Sequence, residues 1–436
     1  MRNEGFAQAT TVEDFLRNGE KRDGLRGAVV ICDEAGLKSN RQGAELLRLA
    51  QKHDLRVLLV GDVRQHVSVE AGDFLRVLEA HSQLGRCQVG EIRRQIPAEY
   101  RSAIAQMAMG NVRGGLEKLD HLNAIKEGQS SYLQHAAADY LRLTDQGRNL
   151  DRCLAVSFSW EENDRFTDSI RNRLKESGVL PSGGTGLKVN ESLRWTNQQK
   201  RDWRRYEPGQ VVTFAPASNR PASAGTVVRI EEKKVTVALA SREETTLDLR
   251  RADSFDVARS RRIEVAPSDK VLIRANDKRL GLINGQVLTI SAIAPDGALQ
   301  TEEGVCVPAE FRQWCHGYVV TSHKAQGWTA DHVVVAADRL TAKGAYVACS
   351  RGRKSCIIHT ADKARLMQRL PEGDRRAALD VLSKMRTTNA PILNRVSAWK
   401  QLAAYLALQI ANRPDQRLAD GVQAQPRQRQ SRGIKI

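Results

Sequence analysis

The stretch from Val29 to Ala35 constrains the fold of this chain more than any other. Val29 to Cys32 is an apolar, mostly β-branched run, and two adjacent carboxylates, Asp33 and Glu34, follow it. A buried parallel strand has this composition, and it delivers polar side chains to the carboxyl edge of its sheet. At such an edge one carboxylate can orient Mg²⁺ and a neighbouring acid can prepare a water for attack. Taken alone, a strand that ends in Asp-Glu supports this chemistry only weakly.

The sequence around this stretch predicts an α/β fold in two lobes. Residues 43–53 have helical periodicity and residues 56–60 form a second apolar run, so strand, helix and strand make a right-handed βαβ unit. Residues 97–122 are predicted to be helical, and a second α/β series begins near residue 152. Its predicted strands and helices are 152–157, 161–175, 317–321, 324–327, 332–337, 343–350 and 355–359.

Residues 195–308 have a different character. Val, Thr and Ile alternate with charged residues between Gly and Pro turns, and helical periodicity fades. This pattern predicts one or two small antiparallel β-barrels inserted into the second lobe.

The composition favours a basic protein of the cytoplasm. There are 68 basic and 51 acidic residues, a formal charge of +17, which favours a polyanionic partner over a basic surface that serves only solubility. No run approaches the roughly 20 apolar residues of a spanning helix, and no secretory signal is visible. None of the seven cysteines forms a Cys-x-x-Cys pair, so we expect buried, reduced thiols.

Two segments of the first half could handle phosphates. Asp62 and Gln65 follow the second strand, where Gln65 could sense a γ-phosphate, although an ordinary Gly-Asp turn has the same sequence. Arg94 lies where the first lobe ends and could reach a phosphate as an arginine finger does. The alternative is a solvated basic pair opposite Glu91.

Two segments of the second half have the same ambiguity. The stretch 321–327 places hydroxyls, a Lys and a helix start at a strand's carboxyl end, which suits phosphate contact, although Thr321 or Ser322 could be only a helix cap. Arg351 is a candidate second finger, or else a cation that complements the dipole of a helix end.

In their order, these segments resemble the motif series of superfamily 1 helicases. They are most like the RecD-like branch and, within it, the helicase half of conjugative relaxases of the MobF (TraI/TrwC-like) family, over roughly residues 8–365. The resemblance implies two RecA-like P-loop NTPase lobes, the first incomplete at its N-terminus, with an inserted small β-barrel region that guides single-stranded DNA. The implied division begins with a partial first lobe (1–95) and a helical linker (96–150). A second lobe in two pieces (151–194 and 309–365) encloses the β-rich insert (195–308). A helical and then basic, disordered tail (366–436) follows.

The resemblance also implies roles for individual residues. Asp33 would bind Mg²⁺, Glu34 would activate water, and Gln65 would couple the γ-phosphate of ATP to DNA. Arg94 and Arg351 would be arginine fingers. The implied nucleotide-binding residues are Asp33, Glu34, Gln65, Arg94, Gly327 and Arg351, and the implied DNA-binding residues are Thr321, His323, Lys324 and Gln326. In the family, the two lobes close on ATP and open after its hydrolysis, which moves the enzyme 5′→3′ along a single strand.

The sequence departs from the family pattern at two places. No Gly-x-x-x-x-Gly-Lys-[Ser/Thr] phosphate loop occurs, and only 32 residues precede Asp33, whereas one βαβ unit needs roughly 30 or more. The nine His form no His-x-His cluster and no multi-Tyr run is present, so the nicking half of a relaxase is missing. We therefore expect the C-terminal part of a bacterial relaxase–helicase, which needs a missing N-terminal part for activity and works with the conjugation machinery. The alternatives are an inactive remnant that binds single-stranded DNA, or a product without function.

An incomplete first lobe predicts association. Strands that would flank residues 28–34 are absent, so a sheet edge and apolar surface should be exposed, and such surfaces favour self-association. We expect sedimentation velocity to show concentration-dependent association. A compact, stable monomer at every concentration would contradict this expectation.

Overall fold

The computed structural model describes residues 6, 8–19, 24–66, 68, 72–82, 84–214, 224–239, 241, 243–277, 279–369 and 433–435. They divide into two compact units. Unit 1 takes in residues 1–119, 340–350 and 367–436, and unit 2 takes in residues 120–339 and 351–366.

The helices of the described residues are short to medium in length. They are α1 (Val12–Arg17), α2 (Asn40–Lys52), α3 (Phe74–His81), α4 (Ala98–Ala108), α5 (Val112–His121), α6 (Tyr132–Leu143), α7 (Trp160–Glu176), α8 (Asn197–Lys200), α9 (Ser322–Ala325), α10 (Ala342–Cys349) and α11 (Lys363–Arg369). None of these described helices is both long and apolar enough to cross a membrane.

The strands fall into four sheets. They are β1 (Val29–Cys32), β2 (Arg56–Leu59), β3 (Ile125–Glu127), β4 (Cys153–Ser157), β5 (Thr185–Ser192), β6 (Val211–Phe214), β7 (Ala224–Glu231), β8 (Lys234–Leu239), β9 (Glu244–Thr246), β10 (Phe255–Val265), β11 (Lys270–Ile273), β12 (Val287–Ile293), β13 (Leu299–Thr301), β14 (Cys306–Val307), β15 (Trp314–His316), β16 (Val319–Thr321), β17 (Ala330–Ala336), β18 (Gly352–Thr360) and β19 (Gly433–Lys435).

Unit 1 contains a small parallel sheet in the order β19-β1-β2. One face is covered, because α1 and α2 pack on it around Phe15, Val30 and Leu46, all of them fully buried. A capping box between Ser39 and Gln42 fixes the start of α2. The βαβ unit formed by β1, α2 and β2 therefore confirms the α/β prediction for this half.

The other face of this sheet remains apolar and exposed. Leu58 is 52% exposed and Val60 is 41% exposed, both in or next to β2. The predicted open edge beside β1 is absent, however, because residues 433–435 pair with it in parallel. These three residues also depart from the predicted disordered tail, whereas residues 370–432 lie outside the described residues. Association of the chain stays a prediction.

Unit 2 is built on a five-stranded parallel sheet in the order β16-β4-β17-β18-β3. Helices α6 and α7 pack on it, with Leu133, Phe166 and Ile170 in the shared core. Strand β4 is buried along its whole length, as expected for a central strand between covering layers. The sheet confirms the α/β class for the second half.

The segment 120–150 differs from its prediction as part of a helical linker. Strand β3 closes one edge of the parallel sheet and α6 lies in the core, so both belong to unit 2. The carboxylate of Asp139 on α6 accepts hydrogen bonds from Lys126 at 2.6 Å and Arg142 at 2.8 Å, and His359 Nε2 lies 3.0 Å from it. Burial by itself raises the pKa of Asp139, but its hydrogen bonds with His359, Lys126 and Arg142 outweigh burial and hold that pKa well below its ordinary value.

The β-rich part of unit 2 forms two antiparallel sheets. One has six strands in the order β5-β10-β6-β7-β8-β9, and the other has five in the order β14-β13-β12-β11-β15. In both, the first and last strands of the order are not paired with each other, so the predicted closed barrels are not observed in the described residues. The region also extends beyond the predicted bounds 195–308, because β5 precedes it and β15 follows it.

A buried ion pair joins the helical layer of unit 2 to the second antiparallel sheet. Arg171 on α7 donates to both carboxylate oxygens of Asp269, at 2.9 and 2.8 Å, and Asp269 is fully buried. Asp269 also accepts from the Tyr318 hydroxyl at 2.8 Å and from the Ala266 amide at 2.9 Å. Burial by itself lowers the pKa of Arg171, but the hydrogen bonds and charge of Asp269 outweigh it and raise that pKa.

Replacing Arg171 with Met should destabilise unit 2 strongly. The change leaves the Asp269 carboxylate buried without its cation, which typically costs about 3–5 kcal/mol. Urea unfolding followed by tryptophan fluorescence measures this, since five of the six Trp lie between residues 160 and 328. Arg250→Met is the matched control, because its pair with Asp248 is exposed and should contribute little to the free energy of unfolding. Equal unfolding midpoints for the two variants would contradict the prediction.

Candidate functional site

In unit 1 the acidic pair lies at the carboxyl end of β1. The Asp33 Oδ1 accepts a hydrogen bond of 3.0 Å from the Glu34 amide. Glu34 has a φ of 51°, in the left-handed region that few residues other than glycine adopt readily. The chain turns there into a short helical turn over 35–37, and the Ala35 amide donates to the Val60 carbonyl at 2.8 Å. The backbone at Asp33 and Glu34 therefore lies next to the residues that follow β2.

The end of β2 is held close to this turn by a glycine. A Cβ on Gly61 would lie 3.1 Å from the Ala35 amide nitrogen and 2.9 Å from the Leu75 side chain, so a larger residue would push the two strand ends apart. Next to it, Asp62 accepts a hydrogen bond of 2.8 Å from the Tyr346 hydroxyl. The backbone amide of Gln65 donates to the backbone carbonyl of Asp62 at 3.1 Å. Asp62 therefore anchors the loop that carries Gln65.

Arg94 lies at the end of helix α10. Its guanidinium donates to the Ser350 carbonyl at 3.0 Å, and the buried Gln95 side chain donates to the same carbonyl at 3.0 Å. The Tyr100 hydroxyl donates to the neighbouring Cys349 carbonyl. Cations satisfy the carbonyls that a helix leaves open at its C-terminus and interact favourably with its dipole. The solvated pair with Glu91 forms through Arg93 instead, at 2.7 Å.

In unit 2 the second polar segment follows the carboxyl end of β16. Thr321 occupies the cap position of α9, but its side chain makes no capping hydrogen bond, so a capping role does not account for it. His323 and Gly327 are exposed, and Lys324 and Gln326 are half-buried. Arg351 immediately precedes β18, and its side chain is only 2% exposed. Thr321, His323, Lys324, Gln326 and Gly327 therefore lie together on one short turn and the loop after it. The buried Arg351 does not belong to this segment.

The side chain of Lys324 packs on a glycine, Gly285, that the sequence analysis did not single out. A Cβ built on Gly285 would lie 1.5 Å from the Lys324 Nζ, and Gly285 has a φ of +92°. The positive φ favours glycine at this position, and the absence of a Cβ leaves room for the end of the Lys324 side chain. Burial lowers the pKa of Lys324, and the nearby charge of Arg274 lowers it further.

A second group of residues was missed by sequence reasoning altogether. The guanidinium groups of Arg194 and Arg274 lie over the ring of Trp160, 3.7 and 4.7 Å from its centroid. The three residues come from distant parts of the sequence: from α7, from the residues after β5 and from those after β11. No spacing pattern in the sequence links them.

The residues at β1 fit Mg²⁺ but form no complete cage. No group of three or more His, Cys, Asp or Glu among the described residues could hold a metal. Mg²⁺ is commonly held by one or two carboxylates and by the phosphates of its nucleotide, so Asp33 at a strand end is a suitable donor. A triphosphate fits less well, since the chain has no glycine-rich loop of the P-loop type to supply backbone amides.

Comparison with known proteins finds one family model that matches the N-terminal part of the chain and distant relatives that match most of it. A family model described as an AAA domain matches residues 1–130. Over 364 residues the chain is 24% identical to a probable conjugal transfer protein TraA of Sinorhizobium fredii, covering 81% of this chain and 26% of that protein. It is also 24% identical over 369 residues to conjugal transfer protein TraA of Rhizobium radiobacter, covering 82% and 27%. The chain spans about a quarter of the length of these curated relatives.

Solved structures of Pif1 helicases also align with the chain. Pif1 from a study of DNA unwinding at forked duplexes is 14% identical, with 85% of this chain and 78% of that chain covered and a TM-score of 0.42. Pif1 from Candida albicans is 14% identical, with 88% and 83% covered and a TM-score of 0.37. Since both scores lie below 0.5, no residue is assigned a role from these structures.

Gly285→Ala should destabilise the chain more than Gly281→Ala does. Both glycines have positive φ, but a Cβ on Gly281 meets nothing within 4 Å, whereas one on Gly285 meets Lys324. The steric conflict should add only about 0.5–1.5 kcal/mol to the shared backbone strain, because the Cβ meets the end of the flexible Lys324 side chain, which can shift to another rotamer. Urea unfolding measures the difference, and adding Lys324→Ala to Gly285→Ala should recover most of it. Equal costs at the two glycines would show that Lys324 does not pack on this turn.

Proposed function

We propose that this chain is a portion of a conjugative-transfer relaxase–helicase of the MobF type with a RecD-like motor. In the intact protein this motor would move 5′→3′ on single-stranded DNA and unwind duplex DNA in the bacterial cytoplasm. Its partners would be single-stranded DNA, the N-terminal relaxase and phosphate-loop part, and the conjugation machinery. The observation that carries the proposal is that the ordered motif residues follow the carboxyl ends of parallel strands, at β1, β2 and β16.

The carboxyl edge is where open α/β sheets bind their ligands. Parallel strands β1 and β2 bring Asp33, Glu34 and Gln65 to one such edge in unit 1. Strand β16, parallel to β4, brings the turn with Lys324 to the corresponding edge in unit 2. The similarity to conjugal transfer proteins TraA over more than four-fifths of the chain supports the same interpretation.

Each motif residue then has a proposed task. Asp33 would hold Mg²⁺, which supplies positive charge next to the phosphates when it is bound. Glu34 would accept a proton from water, and Gln65, whose backbone amide donates to the Asp62 carbonyl, would couple the γ-phosphate of ATP to DNA. Arg94 and Arg351 would stabilise negative charge on phosphate. Gly327 would lie near the nucleotide, and Thr321, His323, Lys324 and Gln326 would contact DNA.

We propose further that this chain alone does not turn over ATP. Backbone amides and the lysine of a phosphate loop are the main contacts to a triphosphate in P-loop enzymes, and the chain contains no such loop. The second candidate function is therefore a single-stranded DNA-binding protein without catalysis. The same missing loop favours it.

ATP hydrolysis by the purified chain, with and without single-stranded DNA, separates these two functions. Glu34→Gln is the reference, because it removes the proposed base but keeps the side chain's size. We expect the wild-type chain and the variant to show the same low rate, and adding DNA to change neither. Turnover that DNA stimulates and that Glu34→Gln abolishes would overturn the inactive assignment and support a complete motor.

A further inference from the structure

Three cations lie close together in unit 2. Arg194 and Arg274 both stack on Trp160, and these two arginines and Trp160 line a cavity of about 410 Å³. Lys324 packs on Gly285, whose backbone amide donates to the carbonyl of Ile273, the residue before Arg274, at 2.7 Å. Among the described residues, neither these two Arg nor Lys324 has a carboxylate oxygen within 4.0 Å. We call Arg194, Arg274 and Lys324 the cationic row.

The two carboxylates that act on Arg194 by their charge form ion pairs with other arginines. Asp164 pairs with Arg261 at 3.1 Å, and Glu191 pairs with Arg259 at 3.1 Å. They attract Arg194 only at longer range. The row is therefore not neutralised by contact, although the cavity as a whole has both signs of charge on its walls.

The cations of the row repel one another. Burial lowers the pKa of Arg194, and the charge of Arg274 lowers it further, as it does for Lys324. The positive charge of Arg274 therefore acts on both of the other two cations. Holding like charges together costs free energy, and an anion that bridges them would remove that cost.

Trp160 explains how the two guanidinium groups keep their positions. A guanidinium stacks on an indole through cation–π and planar contact and leaves its N–H edges free to donate. Trp160 is the first residue of the 17-residue helix α7, which the sheet of unit 2 supports. Arg194 has a φ of 54°, a left-handed backbone that is strained in a residue other than glycine, and its guanidinium lies over the Trp160 ring at the start of that helix.

We infer that the cationic row binds the phosphodiester backbone of single-stranded DNA, with Trp160 as the positioning residue for both guanidinium groups. The inference rests on the proposed function, and it extends the DNA contact from the turn that carries Lys324 to residues outside the helicase motifs. Guanidinium forks match phosphate oxygens in geometry, and a charged groove that follows the backbone is typical of proteins that hold single strands.

The test is the salt dependence of binding to a fluorescent oligothymidine. The double variant Arg194→Asn/Arg274→Gln removes both guanidinium charges, and Asn tolerates the left-handed backbone at position 194. It should weaken binding by about tenfold or more, since it removes two guanidinium groups that donate charge-assisted hydrogen bonds to phosphate. The slope of log K against log salt should also fall by about 0.7 for each phosphate that the variant no longer neutralises.

Two further variants isolate Trp160 and the fold. Trp160→Ala should lower affinity, whereas Trp160→Phe keeps an aromatic face and should retain most of it. Arg250→Ala is the matched control, because Arg250 is a highly exposed arginine of the same unit that pairs with Asp248, and it should bind as the wild type does. If the double variant fails to unfold cooperatively in urea, Arg194→Lys replaces it, and we expect weaker binding with the wild-type slope.

The outcomes separate this inference from the function on which it rests. A wild-type chain that does not bind the oligonucleotide contradicts the proposed DNA-binding function. A wild-type chain that binds, together with a double variant of unchanged affinity and slope, overturns the cationic row alone. If oligoglutamate of equal charge displaces DNA from the wild type as well as oligothymidine does, the row is a general polyanion site and the assignment to DNA is wrong.

Discussion

The buried pair of Arg171 and Asp269 is the interaction on which unit 2 most depends. It joins helix α7, which covers the parallel sheet, to the turn before β11 in an antiparallel sheet. Because Tyr318 and the Ala266 amide also donate to Asp269, donors from three separate parts of the chain meet at one carboxylate. Such a carboxylate is stable in the interior only when it is fully bonded, so its geometry fixes how the two layers join.

Helix α7 contains both the residue of the buried ion pair and the tryptophan on which the two arginines stack. Arg171 lies on its buried side, and Trp160 at its first turn supports Arg194 and Arg274. Those two residues follow β5 and β11, strands of the two antiparallel sheets. Arg194 and Arg274 therefore meet on Trp160 because a strand of each antiparallel sheet ends near the first turn of α7. The buried ion pair and the row are consequences of the same packing.

Close backbone approach has a comparable effect at both candidate sites. Gly61 lets the ends of β1 and β2 meet, and Gly285 lets Lys324 lie over a turn. In each case the missing Cβ, rather than an added side chain, creates the arrangement. In unit 1, hydrogen bonds at a helix end hold another segment in place. The side chains of Arg94 and Gln95 both donate to the Ser350 carbonyl at the end of α10.

The sequence by itself determined the α/β class, the strands that end in polar motifs and the position of the β-rich region, because local periodicity and strand-end chemistry leave direct marks in order along the chain. It did not reveal that residues 120–150 complete the parallel sheet, since β3 has three residues and its pairing with β18 depends on distant contacts. It also missed the stack of Arg194 and Arg274 on Trp160 and the pairing of residues 433–435 with β1. Only the tertiary structure decided these features, because long-range packing brings together residues whose spacing carries no periodic signal.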